Sequence, residues 1–171
     1  MGVLDNGFKY YIRENNFPSN KVEFRLHVRS SSLNETEKEL GIAHFVEHMA
    51  FNGTKNFPNN SVIKFMEEAG LVFGLDSNAY TSTDVTNYQL TIPADNKVLV
   101  EKAFAVMRDW ADGITFDEKE VISERGVILE EERMRSDLRS RLAKQSKKEL
   151  LKGSLYIERD PIGDRSIIKN A

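Results

Sequence analysis

The sequence predicts an α+β domain, a mixed and mainly antiparallel sheet with helices packed on one face. Strict alternation of apolar and polar residues from Lys21 to Arg29 marks a half-buried strand. Strand signals then come in pairs with helical runs between and after them, the order of helices laid over one sheet. With 171 residues and neither internal repeat nor low-complexity tract, one domain over residues 1–171 is the expectation.

Taken in order, Asn6-Gly7 is a turn signal that joins Val3-Leu4 to a strand from Phe8 to Arg13. In the next strand Val22, Phe24, Leu26 and Val28 face inward, which leaves His27 on the solvated face. Thr36 and Glu39 fit a capping box ahead of the apolar run Leu40–Phe51, and Asn52-Gly53 ends that helix. Ser61–Ala69 reads as a short helix stopped by Gly70. Asn78–Ser82 and Tyr88–Ile92 read as strands across a polar Thr83-Asp84 turn. Lys97–Asp112 is a third helix, with Val98, Val100, Phe104, Met107 and Trp110 as its expected buried stripe. Asp117, with Glu120 three residues on, opens the longest helix, which runs to about Lys148 with a break near Ser136-Asp137. Gly126 inside it costs about 1 kcal/mol relative to alanine, which predicts that another backbone packs closely there.

Lys and Arg total 24 against 27 Asp and Glu, a net charge of −3 that argues against a dedicated nucleic-acid binder. The absence of cysteine excludes disulfides, thiolate nucleophiles, iron–sulfur clusters and cysteine-based zinc sites, so any metal rests on His, Asp or Glu. No apolar run approaches the roughly 18 residues that cross a bilayer. The C-terminal Ile167-Ile168-Lys169-Asn170-Ala171 lacks the signals of a domain end, and a domain excised from a longer multi-domain chain is expected.

Within Leu40–Phe51 the only polar side chains are His44, Glu47 and His48. At about 100° per residue the three share roughly a third of the helix circumference. Burying three titratable groups side by side is expensive unless a metal or a dense hydrogen-bond network compensates. Two histidines at i and i+4 can aim their rings at one zinc ion, with Glu47 beside them as a base for an activated water, in the order His-x-x-Glu-His. The competing reading is a pair of core histidines with a glutamate counter-ion. Candidates for a third ligand are Glu124, Glu130, Glu131 and Glu132. Glu124 and Glu131, seven apart, lie on one helix face with Gly126 and Val127-Ile128 as the contact surface between them. One of that pair would bind the ion and the other would support a ligand histidine. Glu130 and Glu132 read as surface charges.

At these residues the chain resembles the inverzincin metallopeptidases: pitrilysin, insulin-degrading enzyme and the mitochondrial processing peptidases. The resemblance runs from Leu4-Asp-Asn-Gly7 through Gly41-Ile-Ala-His-Phe-Val-Glu-His-Met-Ala-Phe-Asn-Gly-Thr54 and Asn78-Ala-Tyr-Thr-Ser82 to Glu124-Arg-Gly-Val-Ile-Leu-Glu-Glu131. The longer turn from Gly70 to Ala79 is most similar to the large bacterial zinc proteases of the group. The resemblance implies a metallopeptidase-like fold of the LuxS/processing-peptidase class and a zinc endopeptidase. It makes His44 and His48 ligands, Glu47 the general base, Glu131 the third ligand and Glu124 the supporting carboxylate. It also implies that Phe51, Asn78, Ala79 and Tyr80 hold an extended peptide or unfolded protein substrate as an added strand. A homologous C-terminal half that supplies an Arg and a Tyr to the cleft is the implied partner, and the bacterial periplasm or cell envelope the implied location.

Two other functions compete with this one. The same fold also serves as a non-catalytic structural or partner-binding subunit, against which the intact His44, Glu47 and His48 speak. The basic run Arg133, Arg135, Arg139, Arg141, Lys144, Lys147 and Lys148 reads as a solvated helix face rather than a nucleic-acid site, because acids interrupt it and no aromatics accompany it.

Overall fold

A computed structural model describes residues 1–171. A short hairpin opens the chain, with β1 (Gly2–Val3) antiparallel to β2 (Lys9–Tyr10) around Gly7, whose φ is +84°. The expected continuation to Arg13 is absent: only two residues stand opposite, and Tyr11 and Ile12 project into solvent without a partner strand.

The alternating segment forms β3 (Lys21–Val28). It pairs with β5 (Thr86–Pro93), which in turn pairs with β4 (Ser77–Thr81), all antiparallel, in the order β3-β5-β4. Register places Val22 opposite Ile92, Phe24 opposite Leu90, Leu26 opposite Tyr88, and Tyr88 opposite Ala79. With side chains alternating faces, these residues and Thr81 share one side of the sheet. His27, Gln89, Asn78 and Tyr80 take the other, and His27 is exposed as expected.

Helices α1 (Ile42–Asn52), α2 (Ser61–Glu68) and α3 (Lys97–Asp112) gather at the apolar side of the sheet. Their core joins Ala50, Phe51, Val62, Phe65 and Met66 to Leu90 and Ile92 from the sheet. The stripe of α3 differs in part from expectation: Trp110 is in the core and Val100 and Met107 pack against it, but two of the expected residues do not. Leu99, Ala103, Val106 and Trp110 are buried, whereas Val98 is 63% and Phe104 61% exposed. The spacing 99, 103, 106, 110 keeps helical phase, and side-chain size does not override phase. Phe104 still finds Phe24, edge to face at 4.9 Å, on the rim of the sheet. Trp110 donates its indole N–H to the Ala50 carbonyl at 3.0 Å, tying α3 to α1.

The start of α1 also differs. Thr36 and Glu39 do bond to each other, but in a turn that ends before the helix begins. Gly41, at φ +98°, is the N-cap and has no side chain to offer. The free amides of the first turn are met by the Glu35 carboxylate, which accepts from Gly41 N at 3.0 Å and Ala43 N at 2.7 Å. An anion at a helix N-terminus satisfies orphan donors and complements the dipole.

Asp117 caps α4 (Glu118–Met134), accepting from Lys119 N and Glu120 N, and the helix breaks where expected. Asp137 then caps α5 (Leu138–Leu150), none of whose residues is buried. A one-turn helix, α6 (Arg165–Ile168), packs on α4. The tight backbone approach expected at Gly126 is absent, since a Cβ there would meet nothing within 4 Å. It occurs instead between Gly41 and Gly163, where a Cβ on Gly163 would collide with the Gly41 backbone.

Candidate metal centre

The face that α1 turns toward α4 carries His44, Glu47 and His48, of which His44 and Glu47 are buried. The helices meet through a small apolar seam, Phe45 and Met49 from α1 against Ile128 from α4 and Ile168 from α6. Ile128 lies between Glu124 and Glu131 on the inward stripe, so the seam sets both carboxylates opposite the histidines. Gly126 and Val127, expected in the contact surface, face solvent.

His44 Nε2 and His48 Nε2 are 3.2 Å apart. Glu131 Oε2 lies 3.3 Å from His48 Nε2 and 3.7 Å from His44 Nε2. Ligands at 2.0–2.2 Å from a tetrahedral zinc stand about 3.3–3.6 Å from one another, so this triangle has the dimensions of three corners of such a site. The chemistry of the donors agrees. Two ring nitrogens and a carboxylate oxygen converge on one point, and a single shared cation engages all three lone pairs at once. His44 makes no other hydrogen bond, and its buried Nδ1 has no partner. These residues fit a zinc ion.

Each donor is held from behind. His48 Nδ1 donates to Glu124 Oε1 at 2.8 Å, which leaves Nε2 of the neutral ring with its lone pair toward the cluster. Arg135 pairs with Glu131 Oε1, leaving Oε2 for the triangle. Glu47 Oε2 stands 3.9 Å from His44 Nε2 and accepts a hydrogen bond from Thr81 Oγ1 at 2.8 Å.

The electrostatics suit a cation site. Burial first, then the His48 charge, pushes the His44 pKa down to about 4, so its ring is neutral near pH 7. Burial acts against protonation of His48 too, but the hydrogen bond and charge of Glu124 outweigh it and raise its pKa. Burial lifts the Glu47 carboxyl above its usual range, partly countered by the Thr81 hydrogen bond. A raised carboxyl is what a base working near neutrality requires.

Of the other glutamates, Glu130 pairs with Arg133 and Glu132 with Arg165, as surface charges do. Phe51 is buried against Trp110 and covered by Phe73, ring centroids 5.3 and 5.1 Å away. Asn78 and Tyr80 are exposed on β4, and Ala79 between them is half-buried on the helix side. Two residues of the site, Thr81 and Asn52, escaped the sequence reading. Alternation along β4 puts Thr81 on the helix side, and Asn52 continues the i, i+4 series of His44 and His48.

Residues 10–155 match the model of the family described as insulinase (peptidase family M16). The chain belongs to the M16 peptidase family. Among M16 relatives it is 44% identical over 162 residues to the probable zinc protease PqqL of Escherichia coli, covering 95% of this chain and 17% of that protein. The crystal structure of that periplasmic protease superposes with a TM-score of 0.96 at 42% identity, over 99% of this chain and 19% of the other. A separate crystal structure of its first half gives a TM-score of 0.95 at 42% identity, over 98% of this chain and 36% of that one. The chain thus spans less than a fifth of the full-length relative.

Proposed function

We propose that this chain is the zinc-binding domain of a metalloendopeptidase, with His44, His48 and Glu131 as ligands and Glu47 as general base. The observation that carries the reading is the triangle of His44, His48 and Glu131 donors with Glu47 beside it, in a domain of the M16 family. Bound zinc supplies a Lewis acid that lowers the pKa of a water toward about 7 and polarises the scissile carbonyl.

The chain's own residues do the rest. Glu47 takes the water proton on its carboxylate and delivers it to the leaving amine, while Thr81 keeps Oε2 aimed at the site. Glu124 holds His48 in the tautomer that offers Nε2. In the order β3-β5-β4 no strand lies outside β4, whose outer side is bridged only at its start, Ser77 to Phe73. An extended peptide adds there as a further strand along Asn78, Ala79 and Tyr80, with Phe51 behind the wall that Phe73 forms. A homologous C-terminal half completes the cleft, consistent with the small share of the relatives that this chain spans. As in the E. coli relative described as periplasmic, the periplasm is the proposed location. The non-catalytic alternative is not favoured, because the full donor set is present.

Glu47→Gln tests the reading. In the full-length protein it should retain zinc and lose at least about 100-fold in hydrolysis of a fluorogenic peptide, within the range of general-base contributions. Cleavage at the parent rate with zinc still bound would remove Glu47 from the mechanism.

A further inference from the structure

Asn52 is the last residue of α1, one turn beyond His48. Its side-chain Nδ2 donates to Glu124 Oε2 at 2.6 Å, while the other oxygen of the same carboxylate accepts from His48 Nδ1 at 2.8 Å. An ionised carboxylate only accepts, so the amide of Asn52 must present its nitrogen. The backbone of Asn52 is fixed as well, since its carbonyl accepts from Asn60 N at 2.7 Å. Glu124 is therefore gripped at both oxygens by two side chains of α1, four residues apart. Held by His48 alone, the carboxylate could turn about its terminal bond and carry the imidazole with it.

Resting on the zinc reading above, we propose that Asn52 is a positioning residue for His48, acting through Glu124. The competing role is local: asparagine ends helices readily, and Gly53 follows. The two roles separate experimentally, because a helix-ending residue affects folding without regard to Glu124, whereas a positioning residue needs it.

The test is zinc affinity, measured on the 171-residue chain by competition with a chromophoric chelator, with thermal unfolding alongside. Asn52→Leu keeps the approximate volume and removes the donor. It should weaken zinc binding roughly tenfold, at the low end of the 10–100-fold typical of residues that support a ligand. Asn52→Asp, which suits a helix end but sets a second carboxylate against Glu124, should weaken binding at least as much. On a Glu124→Gln background Asn52→Leu should add little further loss, since the two residues act in one chain. Full additivity, or parent affinity in Asn52→Leu, would overturn the proposal while leaving the zinc reading intact. Should the folded parent bind no zinc, the zinc reading fails, and imidazole nitrogen shifts of the metal-free protein decide the Asn52 assignment. With the ring neutral, His48 should sit in the Nδ1–H tautomer in the parent and in a mixture of tautomers in Asn52→Leu. An unchanged tautomer population would refute the assignment.

Discussion

Helices α1 and α4 both supply the candidate site, yet they are built in opposite ways. In α1 six of eleven residues are buried and the helix is apolar apart from the groups at the site and its terminal asparagine. In α4 only Ile128 is buried among 17 residues, and over half of them are charged. A polar side chain in α1 has been carried into the interior against a desolvation cost and needs a reason to be there. A carboxylate in α4 needs none until a partner helix identifies it. The site arises where Ile128, flanked by the partly buried Val121 and Leu129, seats α4 on the apolar surface of α1.

The largest expected effect breaks that meeting point. Ile128→Ala should lower unfolding stability in urea by about 2–5 kcal/mol, the range for emptying a packed aliphatic site. Leu142→Ala, on the fully exposed α5, should stay within about 0.5 kcal/mol of the parent. Equal losses would mean that the seam at Ile128 is not what holds the helices together.

The same asymmetry decided what could be read from the sequence. His44, Glu47 and His48 were legible because nothing else in Leu40–Phe51 is ionisable. The seven-residue spacing of Glu124 and Glu131 found the right face of α4, but spacing alone left open which of the two faces the histidine rings. Partners that depend on tertiary contact stayed hidden. Glu35 reaches α1 across a turn, Thr81 meets Glu47 from a strand, and Asn52 passed for a helix stop alone. On α3 the apolar residues alone do not fix the buried face: Val100, Met107 and Trp110 pack on the core, whereas Val98 and Phe104 lie out of phase with Leu99, Ala103 and Val106. At Gly126 a sound rule about helical glycine met a solvent-facing position.

That last difference sharpens the comparison. Gly126 lies in the exposed part of α4, so Gly126→Ala should stabilise the protein by about 0.5–1 kcal/mol through helix propensity. Destabilisation would restore the close packing that the sequence suggested. Smaller still, Glu130→Gln should leave zinc affinity at the parent value by chelator competition, since Glu130 is engaged with Arg133 on the surface. A loss comparable to that of Glu124→Gln would dissolve the distinction between the two faces of α4.

The smallest effect concerns the junction to α5. Hydrogen bonds from the Ser140 backbone and side chain lower the pKa of Asp137, the α5 cap, below its ordinary value. A carboxyl depressed in the folded state contributes stability that is complete above the ordinary aspartate pKa and disappears as pH falls through the lowered one. Helicity monitored by circular dichroism should therefore fall slightly over that acid window, and Asp137→Asn should flatten the change. An identical acid profile in the variant would detach the cap from α5.

Zinc content tests the central claim most directly. Elemental analysis of chain purified without added metal, then reconstituted, should give close to one zinc per chain, lost in Glu131→Gln and weakened but not abolished in Glu124→Gln. A well-folded parent that takes up no zinc even when metal is supplied would contradict the account, since the triangle on α1 and α4 would then not be a metal centre in this chain.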